Sequence, residues 1–169
     1  MLFGLNLLHL LLVLGAAFCV RLALREIAGR AMSPSRLAAL PLVALAMTFV
    51  FFLFFLSLRQ PLWLFPGALL FGVAVGAARG LTMALRYDHM WRLVRPSRHK
   101  VLLWVTLALG GAVVLEMAGA VIGVRAGFVG PLLRLLAALL AAVCSGALAG
   151  HALTVAIRLS SAPHVSLRR

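Results

Sequence analysis

Acidic side chains are scarce in this chain. Its 169 residues include three carboxylates, Glu26, Asp88 and Glu116, against sixteen Lys and Arg. Each carboxylate lies at a different level or side of the hydrophobic runs, so no paired-carboxylate acid/base site can be assembled from them. Cysteine is rarer still, with two. Cys19 and Cys144 fall in different runs and read as buried small apolar side chains, so neither a disulfide nor a metal site is expected. The chain also lacks HExxH, GxSxG, GxxxxGK[ST] and CxxC patterns, which removes the common hydrolase, phosphate-cradling and redox signatures. Catalytic residues are therefore not expected, and the chain does not read as an enzyme.

What it has in abundance is apolar length. The sequence is 64% hydrophobic with a mean hydropathy of +1.14. The apolar residues form blocks of about 20, enough to cross roughly 30 Å of hydrocarbon as a helix. Five spans are expected, at about 2–20, 37–58, 62–81, 101–124 and 132–157. The fold class is all-α, a polytopic transmembrane helical bundle forming a single integral membrane domain over 1–169. Pro66 is the proline expected inside a span, in the first turns of the third, where proline is tolerated. The first run has no basic residues before it, and Phe18 precedes Cys19 where a lipoprotein site needs a small residue. It reads as a retained helix.

The formal charge of +13 would suggest nucleic acid in a soluble protein. Here the basic residues gather at the ends of apolar runs, which reads as topology signal and contact with anionic headgroups, and no nucleic-acid partner is expected. Arg21, Arg25, Arg30 and Arg36 follow the first span. Arg79, Arg86, Arg92, Arg95, Arg98 and Lys100 lie between the third and fourth, and Arg158, Arg168 and Arg169 in the tail. The opposite side has Arg59, Arg125 and Arg134. Thirteen against three places the N-terminus outside and the C-terminus in the cytoplasm, as an odd number of spans requires. The Arg-, Ala-, Leu- and Gly-rich composition suits a bacterial inner membrane protein.

The segment 82–100, TMALRYDHMWRLVRPSRHK, mixes aromatic and long apolar residues with arginine. It reads either as an interfacial helix or as a short alternating hairpin. In both readings Arg86, Tyr87, Trp91, Arg92, Arg95, Arg98 and Lys100 sit at the level of the cytoplasmic headgroups.

Glycines recur at four-residue intervals. Gly72, Gly76 and Gly80 mark the third span, Gly119, Gly123 and Gly127 the fourth, and Gly146 and Gly150 the fifth. Small residues at this spacing let helices approach closely in lipid, so these faces are expected to pack against one another, or alternatively to form a homodimer. The second span, with MTFVFFLFFLSL, is bulky and expected to face lipid or a hydrophobic partner.

Four positions within the spans matter here: Asn6, His9, Glu116 and His151. Ionisable groups there are costly and mark candidate sites. His9 and Glu116 each lie roughly 12 Å below the outer surface, with Asn6 on the same face as His9. Gly119 and Gly123 share the face of Glu116, so the carboxylate is expected to point inward and meet His9. The contact is either a hydrogen bond fastening two helices or a proton relay. His151 forms a polar stripe with Thr154 and Arg158 near the opposite surface and is expected to reach toward it. His9 and His151 are about 18 Å apart in depth, too far to share a haem, and no cofactor is expected.

The ordered pattern of RAMSPSRLAALPL, then a glycine-spaced helix ending GAARG, then LVRPSR running into HKVLLW, resembles the CcdC-like family of small bacterial inner-membrane proteins. The resemblance implies an accessory membrane protein and brings no catalytic residues. The expected function is a non-catalytic accessory or assembly subunit with a membrane-protein partner. The alternative is a small proton-coupled transporter or permease using Glu116 and His9.

Overall fold

The computed structural model describes residues 7–27, 34–58, 60–82, 85–88, 93–96, 101–123 and 128–159. Five helices account for most of them: α1 (Leu7–Ile27), α2 (Pro34–Leu56), α3 (Leu64–Thr82), α4 (Val101–Ile122) and α5 (Val129–Leu159). Each is long and apolar enough to cross a membrane, and each corresponds to one of the five expected spans. Between α3 and α4 lie two short antiparallel strands, β1 (Leu85–Asp88) and β2 (Leu93–Pro96), pairing Leu85 with Pro96 and Asp88 with Leu93. The hairpin reading of this segment therefore applies to the strands, and the interfacial-helix reading does not.

Two boundaries differ from expectation for a common reason. Hydropathy measures residence in hydrocarbon, whereas a helix continues until its backbone stops bonding. Helix α1 runs through Arg21 and Arg25, both exposed, instead of ending before them. Helix α2 begins at Pro34, where a missing N–H costs nothing, and contains Pro41, which also fell within the expected second span although Pro66 was the proline expected inside one. Pro41 is buried, and it leaves the carbonyl four residues earlier without its helical donor.

Helix α5 is the hub. It packs against α2, α3 and α4, while α1 bridges α2 and α4. The result is a closed ring of α1, α2, α5 and α4, with α3 held on the outer side of α5. The composition of α5 explains its position: Ala137, Ala138, Ala141, Ala142, Ser145 and Gly146 are all buried. Small side chains on several faces allow three neighbours to come close, and where helix contact gains little from hydrophobic burial, that closeness supplies the dispersion energy.

Glycines set the α3–α5 seam in both directions. A Cβ on Gly72 would run into the carbonyl of Val143, and one on Gly76 into that of Ala147. Reciprocally, Cβ atoms on Gly146 and Gly150 would collide with the backbone at Leu69 and Val73. Within this chain these glycines therefore serve contact between its own helices.

The Phe-rich run of α2 does not simply face lipid. Phe49 is exposed, but Phe51 and Phe55 are fully buried against the core formed with Leu12, Cys19, Leu109 and Ala112. A continuous run of bulky residues turns through every face of a helix, so one stripe must meet whatever the helix packs on. Phe55 and Phe52 also touch Phe65 near the start of α3, at ring-centroid distances of 5.5 and 5.1 Å. Between these helices, the Ser57 hydroxyl donates to the Phe54 carbonyl at 2.6 Å and closes the end of α2.

Candidate functional site

The helices alternate in direction, so α1, α3 and α5 begin at one end of the bundle and α2 and α4 finish there. At this proximal end four side chains from four helices meet. Glu116, less than two turns from the end of α4, is completely buried. Its Oε1 accepts a hydrogen bond from Nε of Arg134, in the second turn of α5, at 2.7 Å. The Arg134 guanidinium carbon lies 5.4 Å from the centre of the Phe54 ring, in the last turn of α2. The His9 ring, from the first turn of α1, lies 4.9 Å from that same Phe54 ring.

The geometry of each member follows from its neighbours. Gly119, one turn beyond Glu116, makes room for the arginine stem: a Cβ there would lie 2.6 Å from Arg134 Cγ. Gly130 approaches the backbone of Gly119 and Gly123 so closely that a Cβ on it has no space. Glycine thus brings α4 and α5 together at the depth where the ion pair must form. Glu116 is fully desolvated while the Arg134 side chain keeps 24% of its surface exposed, so the pair has one buried and one half-open partner. The second carboxylate oxygen, Oε2, is buried with no hydrogen-bond partner among the described residues.

The expected partner of Glu116 was His9; the hydrogen bond its carboxylate makes here is to Arg134. Arg134 donates to Oε1, and the arginine and His9 both approach the Phe54 ring. Arg134 was the residue to anticipate. In the sequence it stands as an outer-side charge near the turn between the last two spans. Yet Glu116 and Arg134 are equidistant in sequence from position 125, and an antiparallel helix pair with a short turn brings equidistant residues to one level. Counting outward from that turn identifies the arginine.

Other expected site residues are placed as follows. Asn6 lies outside the described residues, as do Gly127, Trp91, Arg92, Arg98 and Lys100. Arg86, Tyr87 and Arg95 belong to the paired strands, with Arg86 opposite Arg95 in register. At the distal end, Arg158 and Thr154 of the polar stripe of α5 meet α3. Arg158 Nη1 donates to the Gly80 carbonyl at 2.6 Å, closing the last turn of α3. The Thr154 hydroxyl donates to Gly150 within its own helix, while its Cβ packs on Gly80. His151 is half-buried beside them.

A shallow cavity of about 360 Å³ opens between α2 and α3, lined by Leu45, Thr48, Phe49, Phe52, Phe65 and Leu69 among others. Its polar element, the Thr48 hydroxyl, donates to Ala44 at 2.9 Å and reaches Ala141 of α5 at 3.4 Å. The hydroxyl therefore ties α2 to itself and to the hub. No family model, curated protein or solved structure matches the chain.

Proposed function

We propose that this chain is a non-catalytic accessory or assembly subunit of a membrane complex. The observation that carries the reading is the Glu116–Arg134 ion pair. The buried acid of the bundle is engaged by a base of the same chain, in the manner of a fastener between two helices. Thr48 and Arg158 follow the same pattern, each satisfying backbone carbonyls within the chain. The glycine faces of α3 and α5 are occupied by each other. Among the surfaces open to a partner are the Phe49 and Leu53 side of α2, both exposed, and the basic segment that carries the paired strands.

By the charge rule, the proximal end faces outward and the hairpin faces the cytoplasm of a bacterial inner membrane, where its arginines meet anionic headgroups. The resemblance to the CcdC-like family points the same way. Affinity purification in mild detergent tests the reading, and a stoichiometric membrane protein is expected to accompany the chain.

One observation favours a second reading, a small proton-coupled transporter. Oε2 of Glu116 is buried without a hydrogen-bond partner among the described residues, as a proton-accepting atom would be. Recovery of the chain without a partner, together with proton-driven uptake into proteoliposomes that Glu116→Gln abolishes, would establish that reading instead.

A further inference from the structure

Arg134 makes one hydrogen bond through Nε, and its terminal nitrogens have no acceptor among the described residues. An arginine carries five N–H donors in a planar fork, and leaving four of them unmatched at the edge of hydrocarbon is costly. The guanidinium is also not free to turn. Glu116 fixes its Nε edge, Phe54 lies 5.4 Å from its carbon, and its stem fits into the space above Gly119. The remaining edge is held in one orientation, and 24% of the side chain is exposed.

That edge faces a region suited to an anion. Helices α1, α3 and α5 all begin at this end, with no acidic residue in a first turn, and α2 and α4 end there, so three positive dipole ends stand against two negative ones and the balance favours an anion. Glu116, the acid nearby, is committed to Nε. Trp63 and Phe128, 71% and 79% exposed just before α3 and α5, mark the headgroup level in the way of an aromatic belt. Arg134 lies six residues beyond Phe128, about 9 Å deeper along the helix. A helical side chain leans toward its helix N-terminus, here toward the membrane surface, and an extended arginine covers most of that depth.

The geometry points to a phosphate-binding site in which the terminal nitrogens of Arg134 take the phosphate oxygens of a phospholipid headgroup at the proximal end, while Glu116 orients the guanidinium. The planar fork matches two phosphate oxygens, which a lysine ammonium cannot do. Glu116 is a positioning residue in this site and does not touch the lipid.

Native mass spectrometry of the detergent-solubilised chain tests the assignment. Dimyristoyl phosphatidylglycerol is titrated against dimyristoyl glycerol, which has the same acyl chains and no phosphate. The expected result is one phosphatidylglycerol per chain at concentrations where the diacylglycerol does not bind. Arg134→Lys is expected to weaken that binding about tenfold, and Glu116→Gln to weaken it in the same direction. Equal retention of the two lipids by the unaltered chain overturns the site without reliance on any variant. Undiminished phosphatidylglycerol binding by a folded Arg134→Lys protein also overturns it. Inorganic phosphate separates the two sources of the same chemistry. Failure to compete supports a lipid headgroup, whereas full competition at comparable concentration overturns the lipid source and assigns a soluble anion.

Discussion

Nε of Arg134 donates to Oε1 of Glu116 at 2.7 Å across the α4–α5 interface, and Gly119 lies directly beneath the arginine stem. Pair and glycine form a unit: the ion pair needs the short interhelix distance, and the glycine permits it. A stripe of close packing and a buried charge, which look like separate features along the chain, depend on one another in space.

Removing one partner of a buried ion pair leaves an uncompensated charge, at a cost of about 3–5 kcal/mol. Arg134→Met is therefore expected to lower the thermal midpoint of the detergent-solubilised protein sharply. Arg134→Met combined with Glu116→Leu, which removes both charges and fills the space, is expected to recover most of the loss. A double variant as unstable as the single one would contradict the pairing.

The glycines divide into two groups with opposite expectations. A Cβ on Gly76 meets the Ala147 backbone, whereas nothing lies within 4 Å of one built on Gly111. Gly76→Ala must push α3 away from α5 and is expected to destabilise the chain. Gly111→Ala meets no obstacle and gains up to about 1 kcal/mol of helix preference. Chemical unfolding of the two variants side by side reads the difference, which is expected in sign and not merely in size.

Phe54 touches both Arg134 and His9. Phe54→Leu keeps apolar bulk and removes the ring, with an expected cost of about 0.5–1.5 kcal/mol. Because the ring acts through the arginine, that cost should shrink when measured in the Arg134→Met background. Strict additivity in this double-mutant cycle would show that the ring and the guanidinium are energetically independent.

Orientation yields to reporter fusions. A fluorescent protein that folds in the cytoplasm, placed after Arg169, is expected to be bright. An alkaline phosphatase that needs the outer compartment, placed in the turn after residue 58, is expected to be active. The reverse pattern would place the basic hairpin on the outer side and overturn the charge-based assignment.

The five helices were legible because hydropathy responds to the solvent each segment occupies, and apolar blocks of this length have few alternatives. The face of α4 carrying Glu116 was legible too, since Gly119 and Gly123 mark it by spacing alone. The partner of that carboxylate was not. Arg134 counted as a topology signal, and a charge near a turn carries no sign of whether it faces water or a neighbouring helix. The inward stripe of Phe51 and Phe55 was hidden for a different reason: in a run where every residue is bulky, no periodicity distinguishes the face that packs from the face that meets lipid. The hub role of α5 was recoverable only in part. Its alanines signal closeness, but not how many neighbours they admit.

The position of α5 has a consequence for how the protein is made. Helices α2, α3 and α4 leave the ribosome before the helix that all three pack on. Until α5 arrives, the seam at Gly72 and Gly76 has only lipid to meet, and Glu116 enters the bilayer without Arg134. Before α5 arrives, the early spans have only the contacts that α1 makes with α2 and α4 and that α2 makes with the start of α3, and α5 adds the seams that close the bundle. Assembly is timed by synthesis, with the closing contact encoded in the helix that emerges after the other four.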